Sequence, residues 1–280
     1  MKKSVRTIYG ALLDTAKRFN EPLPILPNST LNQKFGVSEL ETIRTDEFPH
    51  TQYFAIGLKG TDIKMDTDGL YVTKYREYNP RWASLLGHVP FVMRPVGNDL
   101  TAQERLNYRM RRIEEHNGQQ YVAYYLRKLD ASQGSVGVEH RKLIDNNIVP
   151  SAWEPTLADL NPTPITANPN QVIRTGDDYL SAVRRFELNF TPNDIQEIMD
   201  AVNIIYGDPD KANLTEFALV SGVDRSVQGS FNGSLQNYTE AIYAQVTDFV
   251  KSTISCPNAL LGTKIFLDAG SNEPLLIVGN

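Results

Sequence analysis

Apolar residues at the start of the chain recur at helical spacing. Val5, Ile8, Leu12, Leu13, Ala16 and Phe19 fall on one face of a 3.6-residue period and predict a helix over residues 3–19. The EPLPILPNST that follows is rich in proline and reads as an extended arm. TQYFAIGL at 51–58 and GLYVTKYREY at 69–78 are aromatic and apolar enough to predict strands, the second ended by Asn79-Pro80. A helix is expected from Ala102 to His116. Thr101 and Glu104 stand at capping-box spacing, Leu106, Met110 and Ile113 form a narrow seam, and Asn117-Gly118 supplies a stop. QQYVAYYLRKL at 119–129 predicts a strand with tyrosines on both faces.

The proline- and asparagine-rich LADLNPTPITANPNQ (157–171) marks a junction near residue 165, giving domains 1–165 and 166–280. Beyond it, SAVRRFELNF predicts a strand. Thr191-Pro192 opens a helix to Tyr206, with Ile195, Ile198, Met199, Val202 and Ile205 on one stripe. LTEFALVSG reads as a strand, residues 226–237 as a Gly/Ser/Asn-rich loop, and 238–252 as a helix. TKIFLDAG and PLLIVG predict two short strands near the end. Helices and strands mix without regular βαβ alternation. The expected class is therefore α+β: two subdomains of mixed helices and mainly antiparallel strands, with extended Pro-rich arms.

Charge and composition narrow the function. The net charge of −5 disfavours nucleic acid as the whole-chain partner. Nothing approaches the roughly 18 apolar residues of a membrane helix, and the basic N-terminal run lacks a signal-peptide core. The lone Cys256 suits a reducing compartment and excludes an internal disulfide. His50, His88, His116 and His140 show no metal-ligand spacing; His116 suits the last turn of the predicted helix. DIKMDTDG (62–69) places Lys64 and Tyr75 where a calcium loop needs acids. The GxSxG string is absent, and GSFNGS (229–234) lacks the lysine of a phosphate loop, so it is expected to be a surface loop. No catalytic, cofactor-binding or metal-ligating residue is expected, and no small-molecule substrate.

The residues that stand out are instead of contact type. Arg105, Arg109 and Arg112 would share one face of the predicted helix. Tyr121, Tyr124 and Tyr125 follow, and Arg planes could stack on them. WASLLGHVPFVMRPVG (82–97) is apolar but too broken by Gly and Pro for one helix. Trp82, Phe91 and Met93 in it are either core or interface. Leu214 and Phe217 of LTEFALV complete the candidate interface set. Two rival readings stay open. One is a carboxylate-site hydrolase using Glu216, Asp224 and Glu240. The other is a glycan- or nucleic-acid-binding module built on the Tyr/Arg segment 105–128.

A resemblance points to one class. YGDPDKANLTEFALVSGVDR, followed by YTEAIYAQV, resembles helix–strand–loop modules of tailed-bacteriophage virion proteins, in which a Thr-Glu strand ends in a small-residue turn; here those are Leu214, Thr215, Glu216, Phe217, Ala218 and Leu219, then Ser221-Gly222. PRWASLLGHVPFVMRPVGNDLTAQERLNYRMRRIE is similar to structural proteins of large contractile-tailed phages. The resemblance implies a virion structural protein of the neck, tail or baseplate, made in the host cytoplasm. Such a subunit would pack against other copies of itself and other virion proteins, without catalysis.

Overall fold

Thr7 divides the segment that periodicity assigns to one helix. Ser4–Arg6 (β1) is extended and pairs with a distant strand, so only Ile8–Phe19 (α1) is helical. The Thr7 hydroxyl accepts from the Gly10 amide as an N-cap, and Asn20 ends the helix in the left-handed region. The computed structural model describes residues 4–65, 67–130, 132, 134–144, 147–231 and 234–279.

EPLPILPNST packs on its own chain. Leu23 is buried, the Tyr243 hydroxyl donates to the Pro24 carbonyl and accepts from the Leu26 amide, and Thr30 caps the short helix Leu31–Phe35 (α2). The next strand is His50–Gly57 (β2), near its expected bounds. Thr61–Met65 (β3) and Tyr71–Tyr75 (β4) pair as a hairpin, so the stretch tested as a calcium loop is a β-turn region, with Gly69 at positive φ; Asp66 lies outside the described residues. The broken apolar run 82–97 is irregular as expected, contributing only His88–Val89 (β5) and Val92–Pro95 (β6).

The expected helix from Ala102 to His116 is wrong beyond its first turn. The Thr101/Glu104 capping box forms, but it starts only Ala102–Arg105 (α3). Tyr108–His116 (β7) is a strand, hairpinned to Gln119–Lys128 (β8). Asn117 and Gly118 both have positive φ, at 51° and 75°, which is the geometry of a two-residue hairpin turn and not a helix stop. His116 thus ends a strand. Three apolar residues at helical spacing did not outweigh this cross-strand pairing.

Val136–Ile144 (β9) and Asn147–Ala152 (β10) form another hairpin, and Leu157–Leu160 (α4) is a single exposed turn. Val172–Phe190 (β11) is far longer than the strand expected at 181–190. Pro192–Tyr206 (α5) matches its expected bounds, with a complete capping box at Thr191 and Asp194 and Gly207 at positive φ beyond it. Asn213–Phe231 (β12) and Ser234–Ser255 (β13) replace both the loop predicted at 226–237 and the helix predicted at 238–252. Residues Glu240–Thr247 are continuously buried, so the two-residue alternation that announces a half-exposed strand is missing. GSFNGS lies at the tip of this hairpin, with Asn232 and Gly233 outside the described residues. The two short terminal strands are one, Thr263–Gly279 (β14).

The fold is mixed but sheet-rich, with 51% strand against 18% helix and mostly antiparallel pairing. The chain separates into two compact units, Asp130–Leu188 with Lys264–Asn280, and Lys2–Leu129 with Asn189–Thr263. Residue 165 therefore falls inside the smaller unit. The larger unit holds an eight-stranded sheet in the order β1-β13-β12-β2-β8-β6, with β5 on β2 and β7 on β8. LTEFALV is central in it, paired to β13 on one side and β2 on the other. Tyr53, Phe217, Phe249, Met93, Met110 and Leu126 are among its buried side chains. The smaller unit is a four-stranded sheet, β10-β9-β11-β14. On it, Arg141 and Arg185 both pair with Glu139 and Asp268 across three strands.

Because α5 relies on its box, Thr191→Ala should lower the unfolding free energy by about 1 kcal/mol in urea titration.

Candidate functional site

Glu216 is fully buried near the start of β12, in the middle of the sheet. Its carboxylate accepts from the amides of Lys59 (3.1 Å), Leu86 (2.9 Å) and Gly87 (2.7 Å), and from the Tyr78 hydroxyl (3.3 Å). The neighbouring Thr215 hydroxyl accepts from the Gly60 amide at 2.9 Å. Together the Thr-Glu pair fastens two connecting segments to the sheet, where no strand partner could satisfy their N–H groups. The approach is so close that a Cβ on Gly60 would meet the Thr215 carbonyl oxygen at 2.1 Å.

Glu240, in the second Thr-Glu pair, is used the same way. It is fully buried and accepts from the amides of Met110, Arg111 (3.0 Å) and Ala241 (2.8 Å). Met110 has φ of 58°, a left-handed conformation that a methionine adopts only when its surroundings impose it. The glutamate supplies part of that imposition. Burial pushes the Glu240 carboxyl up to about 7, against the opposing pull of its three backbone donors and the charge of Arg109.

Asp224 takes two bonds from Arg109 (Nε 2.7 Å, Nη2 2.9 Å), one from Lys128 Nζ (2.7 Å) and one from the Tyr53 hydroxyl (2.6 Å). Burial raises its carboxyl, but these donors outweigh burial and hold it at about 2. Each of the three acids is thus engaged in holding other groups. Glu216 has partners quite different from those of the other two.

Of the candidate interface residues, Phe91, Met93, Arg109, Tyr124, Tyr125, Leu214 and Phe217 are buried in the core. They are unavailable to a partner in the folded chain. Tyr125 stacks on Phe35 at 4.3 Å between ring centres. Trp82 and Tyr121 are half-buried against the same core. Arg112 is exposed and pairs with Glu114 at 3.3 Å. Arg105 is half-buried. The shared helical face of Arg105, Arg109 and Arg112 does not exist, because 108–116 is a strand.

What the strand brings together is a different set. Arg109 and Arg111 are both buried, and Arg111 binds Asp99 through Nε (3.2 Å) and Nη2 (3.0 Å). The Tyr124 hydroxyl donates to the same Asp99 at 2.7 Å. These arginines line a cavity of about 200 Å³ with Arg105, Tyr108, Tyr124 and Tyr238. Arg111 and Tyr108 lie within the Tyr/Arg segment 105–128 of the binding-module reading, whereas Asp99 and Tyr238 fall outside every candidate set. The available signal was the i, i+2 spacing of Arg109 and Arg111, which is strand spacing.

The model of a family described as a family of unknown function (DUF7208) matches residues 1–280. The chain belongs to the DUF7208 family. No curated protein and no solved structure matches it. Among the described residues of this DUF7208 chain, no group of three or more His, Cys, Asp and Glu is arranged to hold a metal ion. No described helix is long and apolar enough to cross a membrane.

Three outcomes follow from these acids. Glu240 binds its proton more tightly folded (about 7) than unfolded (4.5), so its burial costs nothing below pH 4.5 and its full penalty above pH 7. Unfolding free energy should therefore fall by about 3 kcal/mol as pH rises through that window, and Glu240→Gln should flatten the slope in urea titrations. Asp224 works oppositely: its contribution is present above 3.8 and lost as pH falls through about 2. Glu216→Ala, which removes the acceptor of three backbone amides, that of Gly87 buried, should destabilise the larger unit by about 3 kcal/mol, read as a drop in denaturation midpoint.

Proposed function

We propose that this chain is a structural subunit of a tailed-bacteriophage virion, in the neck, tail or baseplate. It acts by packing against other copies of itself and other virion proteins. The observation that carries this reading is the exposed ribbon at the end of the smaller unit. The first half of β11 runs beside the last third of β14, with Gly176 against Ile277 and Gly279 against Arg174. Ile173 (47% exposed), Leu276 (54%) and Ile277 (40%) are apolar and open there. A two-stranded ribbon is marginal alone in water, and open apolar strands call for a second layer or another strand.

Two further features support it. The hairpin β3–β4 is amphipathic, with Val72 the one apolar residue on its charged face. Ile63, Met65, Tyr71 and Tyr75 stand on one open face, and Asp62, Lys64 and Lys74 belong to the other. The segment 157–171 is exposed almost throughout, and its Leu157 and Leu160 are bare; it fits an arm that reaches a neighbour. Under this reading the smaller unit is a subdomain for assembly and the larger one a scaffold. The Thr-Glu motif LTEFAL, which carries the likeness to phage modules, is the central strand of that scaffold.

Mass photometry of the purified chain should find closed oligomers. Replacing Leu276 and Ile277 with Lys should leave the circular dichroism of the fold intact and disperse those oligomers to single chains. A wild-type chain that stays monomeric at every concentration, and that is missing from purified particles, would sink the proposal.

A further inference from the structure

We infer that the open edge of β3 is a self-pairing edge, at which a second copy of this chain adds its own β3 antiparallel across a two-fold axis at Ile63. Hydrogen-bond parity comes first. The Arg76 amide donates to the Gly60 carbonyl at 2.8 Å, and the hairpin register pairs Thr61 with Tyr75 and Met65 with Tyr71. Gly60, Asp62 and Lys64 therefore turn their backbone groups toward β4. Thr61, Ile63 and Met65 turn theirs away, and among the described residues β3 has no strand on that side. The Arg76 side chain takes one lone pair of the Thr61 carbonyl at 3.3 Å and leaves the other.

Register follows from parity. Two strands related by a two-fold axis normal to the sheet place one residue opposite itself. Only a residue whose backbone groups point outward can stand there and exchange hydrogen bonds. Ile63 is the middle one of the three, and a register centred on Thr61 or Met65 would run off the end of the strand. Ile63 then bonds to its own copy, and Thr61 to Met65 of the second copy.

Charge supplies an independent match. In that register Asp62 lies opposite Lys64 of the second copy, and Lys64 opposite its Asp62. These are positions without hydrogen bonds between the strands, where side chains come closest, about 4.5 Å between Cα atoms. Lys64 is exposed and forms no ion pair among the described residues, while Asp62 meets Arg76 only at 3.7 Å. Lys74 already faces Asp62 within the hairpin, so each aspartate ends between two lysines. The pairing also turns a two-stranded hairpin, the marginal case in water, into four strands with the apolar side chains of both copies on one face.

This contact deepens the assembly reading and rests on it for its place in a particle. An edge of five residues is small, so the pair forms at high protein concentration and not at the dilution of mass photometry. Ile63→Cys adds one exposed thiol to a chain whose Cys256 is buried. Hydrogen-bonded residues opposite each other stand about 5.5 Å apart between Cα atoms, within disulfide reach. Mild oxidation of the concentrated full chain should therefore give a covalent dimer on a non-reducing gel. Thr73→Cys, also exposed but on the outer strand of the pair, should not. In sedimentation velocity Asp62→Lys and Lys64→Asp should each weaken dimerisation about tenfold, and the double reversal should restore it. The same variants in the Leu276→Lys, Ile277→Lys chain should behave alike, because the ribbon takes no part. No cross-link at Ile63→Cys beyond that of Thr73→Cys, or equal association of all the charge variants, overturns the edge. Oligomers that persist beside that result leave the assembly reading standing, and single chains throughout overturn both.

Discussion

Buried backbone amides without a strand partner are what the larger unit has to solve, and two glutamates solve it. A sheet satisfies the N–H groups of its strands, but the segments that cross over it bring amides into an interior without water. Leaving one such donor unpaired costs on the order of 1–3 kcal/mol. Glu216 takes three of them near the start of β12, while Glu240 takes two from the irregular strand β7, at Met110 and Arg111, and one from its own strand at Ala241. A neutral side chain would offer fewer acceptor positions. The burden of burying a carboxyl is visible at Glu240, which is pushed up to about 7. At Glu240 the anchoring of strand amides and pH sensitivity thus have a common origin.

The same constraint shapes the arginine cavity. Glu240 fixes the amides of Met110 and Arg111, and Met110 is turned to positive φ between two buried arginines. Asp224 and Asp99 then fix the guanidiniums themselves. Arg109 and Arg111 are thus paired charges, which is why they tolerate burial.

The smaller unit follows a different logic. Its sheet carries an ion network, Arg141 and Arg185 with Glu139 and Asp268, yet its longest strands run out into solvent with apolar side chains bare. A monomer gains nothing from such strands, and an assembled subunit gains its contact surface from them.

Much of the local structure was legible. The capping residues Thr101 and Thr191 start helices where they stand, and Asn117-Gly118 does mark a chain reversal. Strand 51–58 and helix 192–206 lie close to their expected bounds because short-range pattern decides them. Three failures share one cause. In 108–116 and 238–252, hairpin pairing with the neighbouring strand overrode local spacing, and the start of β11 is held beside the distant β14. In β13 burial on both faces also erased the period of two. The role of Glu216 was beyond reach for a related reason: its amide partners lie more than a hundred residues away in sequence. By itself the sequence determined the composition, the caps, the turns and the central apolar strand. Only the tertiary structure decided which acids meet which amides, because those are long-range pairings that no local period encodes.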